Sequence, residues 1–436
     1  MEQWLTIGHR LSFAIRHSSF VIRLAPCYIR FMPTRHILIV AVDGLRASAL
    51  GAGGNTMYPT PALDQFAAES FLLDSCYAPS SELAGVYTAL WQAVHPGRPK
   101  TAIGAAPSLP PMLAERGYKT TLISDAPQLT IGAARRFDEL VQLDSAGVPV
   151  RAADISQTSL AQLFGAASEQ IAAVKRESPS LIWVHSRGMY GPWDAPLELQ
   201  QNLLDEGDPP PLEAVAPPDL LIGDNDDSDV AYRHAAAYAA QIMVFDACWQ
   251  GLMEALQSSG NDNDWLVVLV GVRGFPLGEH GRIGAADPRL YGEQLHVPWL
   301  LRFPDGLGRL ARSSQLASPF DLLPTLLAWL GGGDHGPLKL DGMSALPLIS
   351  AARPPWRESL VALSAGGQRA IRTAEWCLRC DDDDYALAEL YVRPDDRWEF
   401  NDVAKLCPDV VDDLSSVLNG FLRGTSPGES LSIAAR

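Results

Sequence analysis

The stretch His36-Ile-Leu-Ile-Val-Ala-Val42 constrains this chain more than any other, because six aliphatic residues follow one another without a polar break. A strand with one face in water alternates apolar and polar residues. A continuous run is what a strand needs when it is buried on both faces, and such strands belong to parallel sheets covered by helices. Comparable segments at Phe71–Tyr77, Lys119–Ser124, Ser180–His185, Trp265–Val272 and Val297–Phe303 predict further strands. Helical patterns are read between them at Pro61–Ser70, Glu82–Ala93, Pro110–Gly117, Ile155–Val174 and Val230–Leu256. Strands alternating with helices predict an α/β fold, with a large, mostly parallel sheet sandwiched by helices. Ligands of such folds bind beyond the carboxyl ends of the strands. Chemistry is therefore expected in the loops after Val42, Tyr77, His185 and Val272.

The pattern changes after about residue 350. Short strands at Ser359–Leu363, Ala370–Thr373, Trp376–Arg379 and Glu389–Val392, then a helix near Pro408–Leu422, predict a small antiparallel sheet with one covering helix. The expected organisation is an extension over 1–34 outside the fold, an α/β domain over 35–350 and a C-terminal antiparallel subdomain over 351–436. Within the α/β domain, 203–229 reads as an irregular, acidic, solvated insertion. Residues 1–34 contain apolar pieces broken by Arg16, Arg23 and Arg30, and neither an uninterrupted signal core nor a cleavage site is clear. On that ground the cytoplasm is favoured, and the compartment stays open. No apolar run reaches the roughly 18 residues of a membrane span, so no transmembrane segment is expected.

Charge narrows the partners. The net charge is −17, and because residues 1–35 hold five Arg against one Glu, the remaining body carries −21. Sequence-independent binding to nucleic acid needs clustered Lys and Arg, so none is expected. A small-molecule or protein partner remains open. The six cysteines are too sparse for a disulfide scaffold. Cys377 and Cys380 form a lone CxxC on a predicted strand, which points them to opposite faces. Asp224–Asp229 begins like a calcium loop but has Asp229 where a Gly and Ala235 where a Glu should stand, so it reads as a charged turn. Asp381–Asp384, between two predicted strands, reads the same way.

At the strand ends the sequence resembles the sulfatase family of the alkaline phosphatase superfamily, from about His36 to Leu418. The residues that carry the resemblance are Val42-Asp43-Gly44, Thr60-Pro61-Ala62-Leu63-Asp64, Tyr77-Ala78-Pro79-Ser80, Pro96-Gly97-Arg98, His185 to Trp193, Leu277-Gly278-Glu279-His280-Gly281, His296-Val297-Pro298, Phe320-Asp321-Leu322-Leu323-Pro324-Thr325, Asp341-Gly342 and Glu389-Leu390-Tyr391. The resemblance implies metal-assisted attack by a side-chain nucleophile on a sulfate or phosphate ester. A divalent cation, calcium or magnesium, would be held by oxygen ligands, and basic groups would stabilise the ester's charge.

Residue by residue, this chain departs from that pattern. The four metal-ligand positions are Asp43, Gly44, Val272 and Arg273, of which only Asp43 keeps a carboxylate. Counting without gaps from Ala78-Pro79-Ser80 and back from Pro96-Gly97-Arg98 puts Leu83 at the nucleophile position and Tyr87 at its Arg. Asp125 stands at a Lys position, Tyr190 at the second His and Ala285 at a further Lys. No metal or other cofactor is therefore expected. Asp43, Gly44, Ser80, Ser81, Asp125, His185, Arg273 and His280 remain as pocket candidates. Ser80 and Ser81 read foremost as caps of the following helix, and His185 and His280 as structural histidines. Two functions follow. The first is a non-catalytic binding or regulatory protein in which Arg273 replaces the metal's charge and pairs with Asp43. The second is a hydrolase with a relocated site, built from Asp43, Asp125, His185 and His280 around zinc or manganese.

Overall fold

Seven of the eight strands of the main sheet run in one direction. The computed structural model of the protein describes residues 35–129, 136–143, 150–223, 228–260, 262–284, 289–331, 340–349, 354–381 and 384–424. The 1–34 extension, the start of the Asp224 run, Ala285 and Asp382-Asp383 lie outside the described residues. The strand order is β10 (Arg312–Ala317), β2 (Phe71–Cys76), β9 (Trp299–Arg302), β7 (Trp265–Gly271), β1 (His36–Val42), β5 (Ser180–Ser186), β3 (Lys119–Ser124) and β4 (Glu139–Gln142). β1 pairs in parallel with β5 on one side and β7 on the other. All three are buried along their whole length.

The two faces of β1 feed two separate cores. Ile37, Ile39 and Ala41 pack with Trp183, Trp299 and with Val86 and Leu90 of helix α2 (Leu83–Gln92). Leu38, Val40 and Val42 pack with Phe164, Phe245 and Trp249 from the helices Ser159–Ala172 and Ser228–Ser258. A polar residue anywhere in the run would be stranded in one core or the other. Each fully buried aliphatic side chain stabilises the fold by about 1.5–3 kcal/mol.

β9 is antiparallel to both neighbours, β2 and β7. A uniformly apolar run carries no record of direction, so this reversal is not visible in the sequence. The second sheet runs β11 (Leu360–Leu363), β12 (Gln368–Arg372), β13 (Trp376–Asp381), β14 (Asp384–Val392), antiparallel throughout. The helix Pro408–Leu422 covers it through Leu414 and Leu418, which pack on Leu378 and Leu390. The protein is thus a helix-flanked, mostly parallel α/β sandwich with a small antiparallel sheet at its C-terminal end.

Several expectations need correction. The stretch 203–229 is not irregular throughout: β6 (Asp219–Leu221) pairs with β8 (Arg282–Gly284), and a helix starts at Ser228. All three residues of β6 are exposed, so backbone pairing alone holds it and no apolar pattern announces it. The helix expected over 155–174 splits into a single turn at Ile155–Gln157 and an α-helix from Ser159, because Thr158 caps the Ala161 amide. Edge strands β4 and β10 were also missed, since neither is buried on both faces. Cys377 and Cys380 lie in different apolar clusters across β13. No helix among the described residues is long and apolar enough to cross a membrane.

Candidate functional site

Parallel register assembles the site. Val42 sits opposite Ser186 on one side and Gly271 on the other, so the residues that follow β1, β5 and β7 emerge side by side. The Asp43 amide continues the ladder by donating to the Ser186 carbonyl at 2.9 Å, and the Val272 amide donates to Val42 at 2.9 Å. Asp43 and Arg273 then meet. Arg273 Nε donates to Asp43 Oδ1 at 2.9 Å and Nη2 donates to Oδ2 at 2.5 Å, a two-pronged guanidinium–carboxylate pair. Its third nitrogen, Nη1, donates to the Ser81 carbonyl at 3.0 Å, and its Cζ lies 4.5 Å from the centroid of the Tyr190 ring. Burial by itself would lower the Arg273 pKa, and the Asp43 carboxylate more than reverses this, so the guanidinium is held charged.

Gly44 is built into the same corner. Its φ is +74°, and a Cβ there would come within 2.7 Å of the Met189 Cβ. Met189 belongs to a short turn, Gly188–Tyr190, anchored by its amide to the Asp43 carbonyl at 3.0 Å. On the other side, the Tyr238 hydroxyl donates to the Gly44 carbonyl at 2.9 Å. A carboxylate could not be placed on residue 44 without moving that turn. Val272 is fully buried in the apolar cluster that also contains Tyr87.

Helix α2 supplies the opposite wall. Leu83 is its first residue and packs, half-buried, against the same apolar cluster. One turn on, the Tyr87 hydroxyl lies 2.6 Å from His185 Nδ1 and accepts from Trp183 Nε1 at 3.4 Å. Burial, with Arg273 and Arg187 adding to it, pulls the His185 pKa to about 3, so the imidazole is neutral at ordinary pH. Burial pushes Tyr87 well above its usual range. His185 Nε2 is buried with no hydrogen-bond partner.

Asp125, at the end of β3, accepts from the Arg187 amide at 2.8 Å and lies 3.8 Å from its guanidinium. Burial drives this carboxyl up to about 6, against the opposing pull of Arg187 and with a further push from Asp43. Ser80 and Ser81 are not caps of α2, contrary to expectation. Both hydroxyls donate to Glu82, at 2.6 and 2.8 Å, and Glu82 itself occupies the N-cap position without a side-chain cap bond. Glu82 also accepts from the Ala365 amide at 2.8 Å, tying the start of α2 to the β11–β12 turn.

His280 belongs to a different network. Its Nδ1 lies 2.6 Å from Glu293 and its Nε2 lies 3.1 Å from the Glu399 carbonyl, while its ring stacks on Tyr291 at 3.5 Å. None of these partners is Asp43, Asp125 or His185. The structure therefore brings together Asp43, Gly44, Ser81, Tyr190 and Arg273, places Tyr87 and His185 beside them, and leaves His280 apart. Sequence reasoning did not single out Glu82, Arg187 or Met189. Glu82 could have been suspected as an acid next to two serines, whereas Met189 carries no chemical signal. Among the described residues, no three His, Cys, Asp or Glu side chains are grouped so as to hold a metal ion.

Comparisons with known proteins agree with this architecture. The family model described as Sulfatase matches residues 35–332. Over 130 residues the chain is 28% identical to the multifunctional alkaline phosphatase superfamily protein PehA of Trinickia caryophylli, covering 29% of this chain and 24% of that one. Over 137 residues it is 28% identical to an endo-4-O-sulfatase of Bacteroides thetaiotaomicron, covering 30% and 25%. The matched stretch thus spans about a quarter of the length of these curated relatives. In three dimensions the chain is similar to the phosphonate monoester hydrolase of Agrobacterium radiobacter, with a TM-score of 0.73, 18% identity, and 90% and 96% of the two chains covered. It is also similar to BT4656, solved with its substrate D-glucosamine-2-N,6-O-disulfate, with a TM-score of 0.70, 16% identity, and 91% and 100% covered. At these identities the solved structures speak for the fold alone. The family match spans well over half the chain, and with the strand-end architecture it places this protein in the sulfatase family.

Proposed function

We propose that this sulfatase-family protein no longer hydrolyses esters and serves as a non-catalytic binding or regulatory protein. The observation that carries the reading is the Arg273–Asp43 pair, which puts a guanidinium against the one carboxylate present at the four positions the family uses for its divalent ion. The donor set does not suit such an ion. Gly44 has no room for a side chain, Val272 offers no ligand atom, and Arg273 brings a positive charge of its own. Hard cations take six or more oxygen ligands, mostly carboxylate, carbonyl and water.

The nucleophile position gives the same reading. Leu83 and Tyr87 present an alkyl group and a phenol held neutral, and neither can attack a sulfate or phosphate centre. Removing the nucleophile alone from a well-studied hydrolase forfeits on the order of 10⁶ in rate. A relocated hydrolytic site would need His280 beside Asp43, Asp125 and His185, and His280 is committed to Glu293 and Glu399.

The test is metal content and turnover on the same purified sample. Elemental analysis after equilibration with calcium, magnesium, zinc and manganese should find no stoichiometric ion. 4-Nitrophenyl sulfate and 4-nitrophenyl phosphate should hydrolyse no faster than in buffer. One ion per chain together with turnover that Asp43→Asn abolishes would overturn the reading.

A further inference from the structure

A cleft is lined in part by Tyr238, the residue whose hydroxyl donates to the Gly44 carbonyl. Its volume is about 490 Å³, within the roughly 300–1,000 Å³ typical of sites for small organic ligands. We propose that this cleft binds a planar organic anion, an aromatic carboxylate or sulfonate. The proposal stands apart from whether the neighbouring centre is catalytic.

The floor is buried and the mouth is open. Tyr238, whose hydroxyl donates to the Gly44 carbonyl, lines the floor with Arg46 and Glu279. Arg46 is 6% exposed, is paired through Nη2 with Glu279 at 2.5 Å, and leaves its Nε without a partner. At the mouth stand Arg397 and Trp398 from the segment after β14, facing Met57 from the loop before helix α1 (Pro61–Glu69). Met57 is 74% exposed and Trp398 is 40% exposed, so the mouth offers apolar surface to a ligand.

Charge decides what could rest there. The Arg397 guanidinium lies 4.5 Å from the Trp398 ring centroid and that of Arg46 lies 5.9 Å from it. Arg46 is matched by Glu279, whereas Arg397 has no carboxylate partner among the described residues. The cleft therefore carries one uncompensated positive charge on a body of strongly negative net charge. A cation would be repelled here, and a neutral ligand would leave the guanidinium unused. An anion is the ligand that answers it. Stacking on the indole holds Arg397 in place, so less side-chain freedom is lost when an anionic group arrives. The apolar surfaces of Met57 and Trp398 beside that charge call for a ring attached directly to the anionic group.

Naphthalene-2-sulfonate is a suitable probe, because its carbon–sulfur bond is not an ester and binding can be read without turnover. Titration calorimetry on the full chain should show one site per molecule. Trp398→Leu and Arg397→Gln, both at exposed positions, should each weaken binding at least tenfold while leaving the melting temperature unchanged. The neutral analogue 2-naphthalenemethanol should bind at least tenfold more weakly than the sulfonate. No saturable binding, equal binding in both variants, or equal binding of the neutral analogue would each overturn the proposal.

Discussion

The Arg273–Asp43 pair shows what a buried carboxylate at a strand end requires. A carboxylate that is 3% exposed is costly to bury unless something compensates its charge. Arginine suits this corner because its planar fork engages both Asp43 oxygens, a third nitrogen reaches the Ser81 carbonyl, and its face covers Tyr190. A lysine would meet only one of these demands at a time. Breaking such a pair from one side typically costs about 3–5 kcal/mol, whereas replacing both partners with apolar groups is close to neutral. Arg273→Met should therefore destabilise the protein by about that amount, and adding Asp43→Leu should recover most of the loss. Denaturant unfolding at pH 7 of the two single variants and the double variant checks this; a cost below about 1 kcal/mol for Arg273→Met would mean that water already screens the pair. The pair was legible in the sequence, because the family resemblance, in register with Gly274, set Arg273 at a position expected to face Asp43. The filling of the corner was not. In the sequence Gly44 is only a residue without a carboxylate, and the approach of Met189 shows that no side chain fits there.

At the scale of elements, legibility follows burial. β1, β5 and β7 announce themselves because two cores demand apolar residues on both faces. β6 and β10 do not, because their pairing is backbone hydrogen bonding at exposed edges, which many side chains tolerate. The Gly278–Gly281 loop is an intermediate case. Its glycines predicted the shape, but not that His280 would fasten the loop to the short helix Gly292–Leu295 and to Glu399. Both ring nitrogens of His280 face acceptors, so the doubly protonated imidazolium fits and the neutral ring leaves one contact unmade. Burial alone would lower its pKa, and Glu293 with Glu399 reverses that and holds it above the ordinary 6.5. A raised histidine contributes stability that is fully present below its unfolded pKa and fades as pH rises through the folded value. His280→Gln should therefore cost more at pH 6 than at pH 9. Melting temperatures of the wild type and the variant across that range report it, and a pH-independent difference would show that the ring acts by stacking alone.

Among the described residues, five other histidines are shifted the opposite way, three of them strongly. Burial pulls His95 to about 4, His185 to about 3 and His296 to about 4, each from 6.5. The geometry of His95 explains why. Its Nδ1 accepts from the Gly97 amide at 3.0 Å, so that nitrogen has no place for a proton while Nε2 bonds the Val361 carbonyl at 2.9 Å. Histidines held neutral in the fold give stability that is present above 6.5 and lost as pH falls toward 3–4, because the unfolded chain takes up protons that the folded one refuses. Near pH 5 all three act in this sense. Asp125 works against them, since its carboxyl, raised to about 6, takes a proton in the fold before it does in the unfolded chain. His36 and His234 are displaced in the same sense as these three, and Asp246 in the same sense as Asp125. Taken together, His95, His185, His296 and Asp125 leave the unfolded state with about two more protons than the native one, so these four groups alone should lower stability by about 3 kcal/mol per pH unit around pH 5. Relief of the chain's negative net charge on acidification would act the other way, but it is spread over a surface where salt screens it, whereas the histidines are buried. Denaturant unfolding at pH 7, 6 and 5 in 0.15 M salt should show this decline, and His185→Gln should make it shallower by about one proton. A stability that stays level or rises from pH 7 to pH 5 would mean that these rings are already charged in the folded protein, with the packing around Tyr87 looser than the 2.6 Å contact to His185 implies.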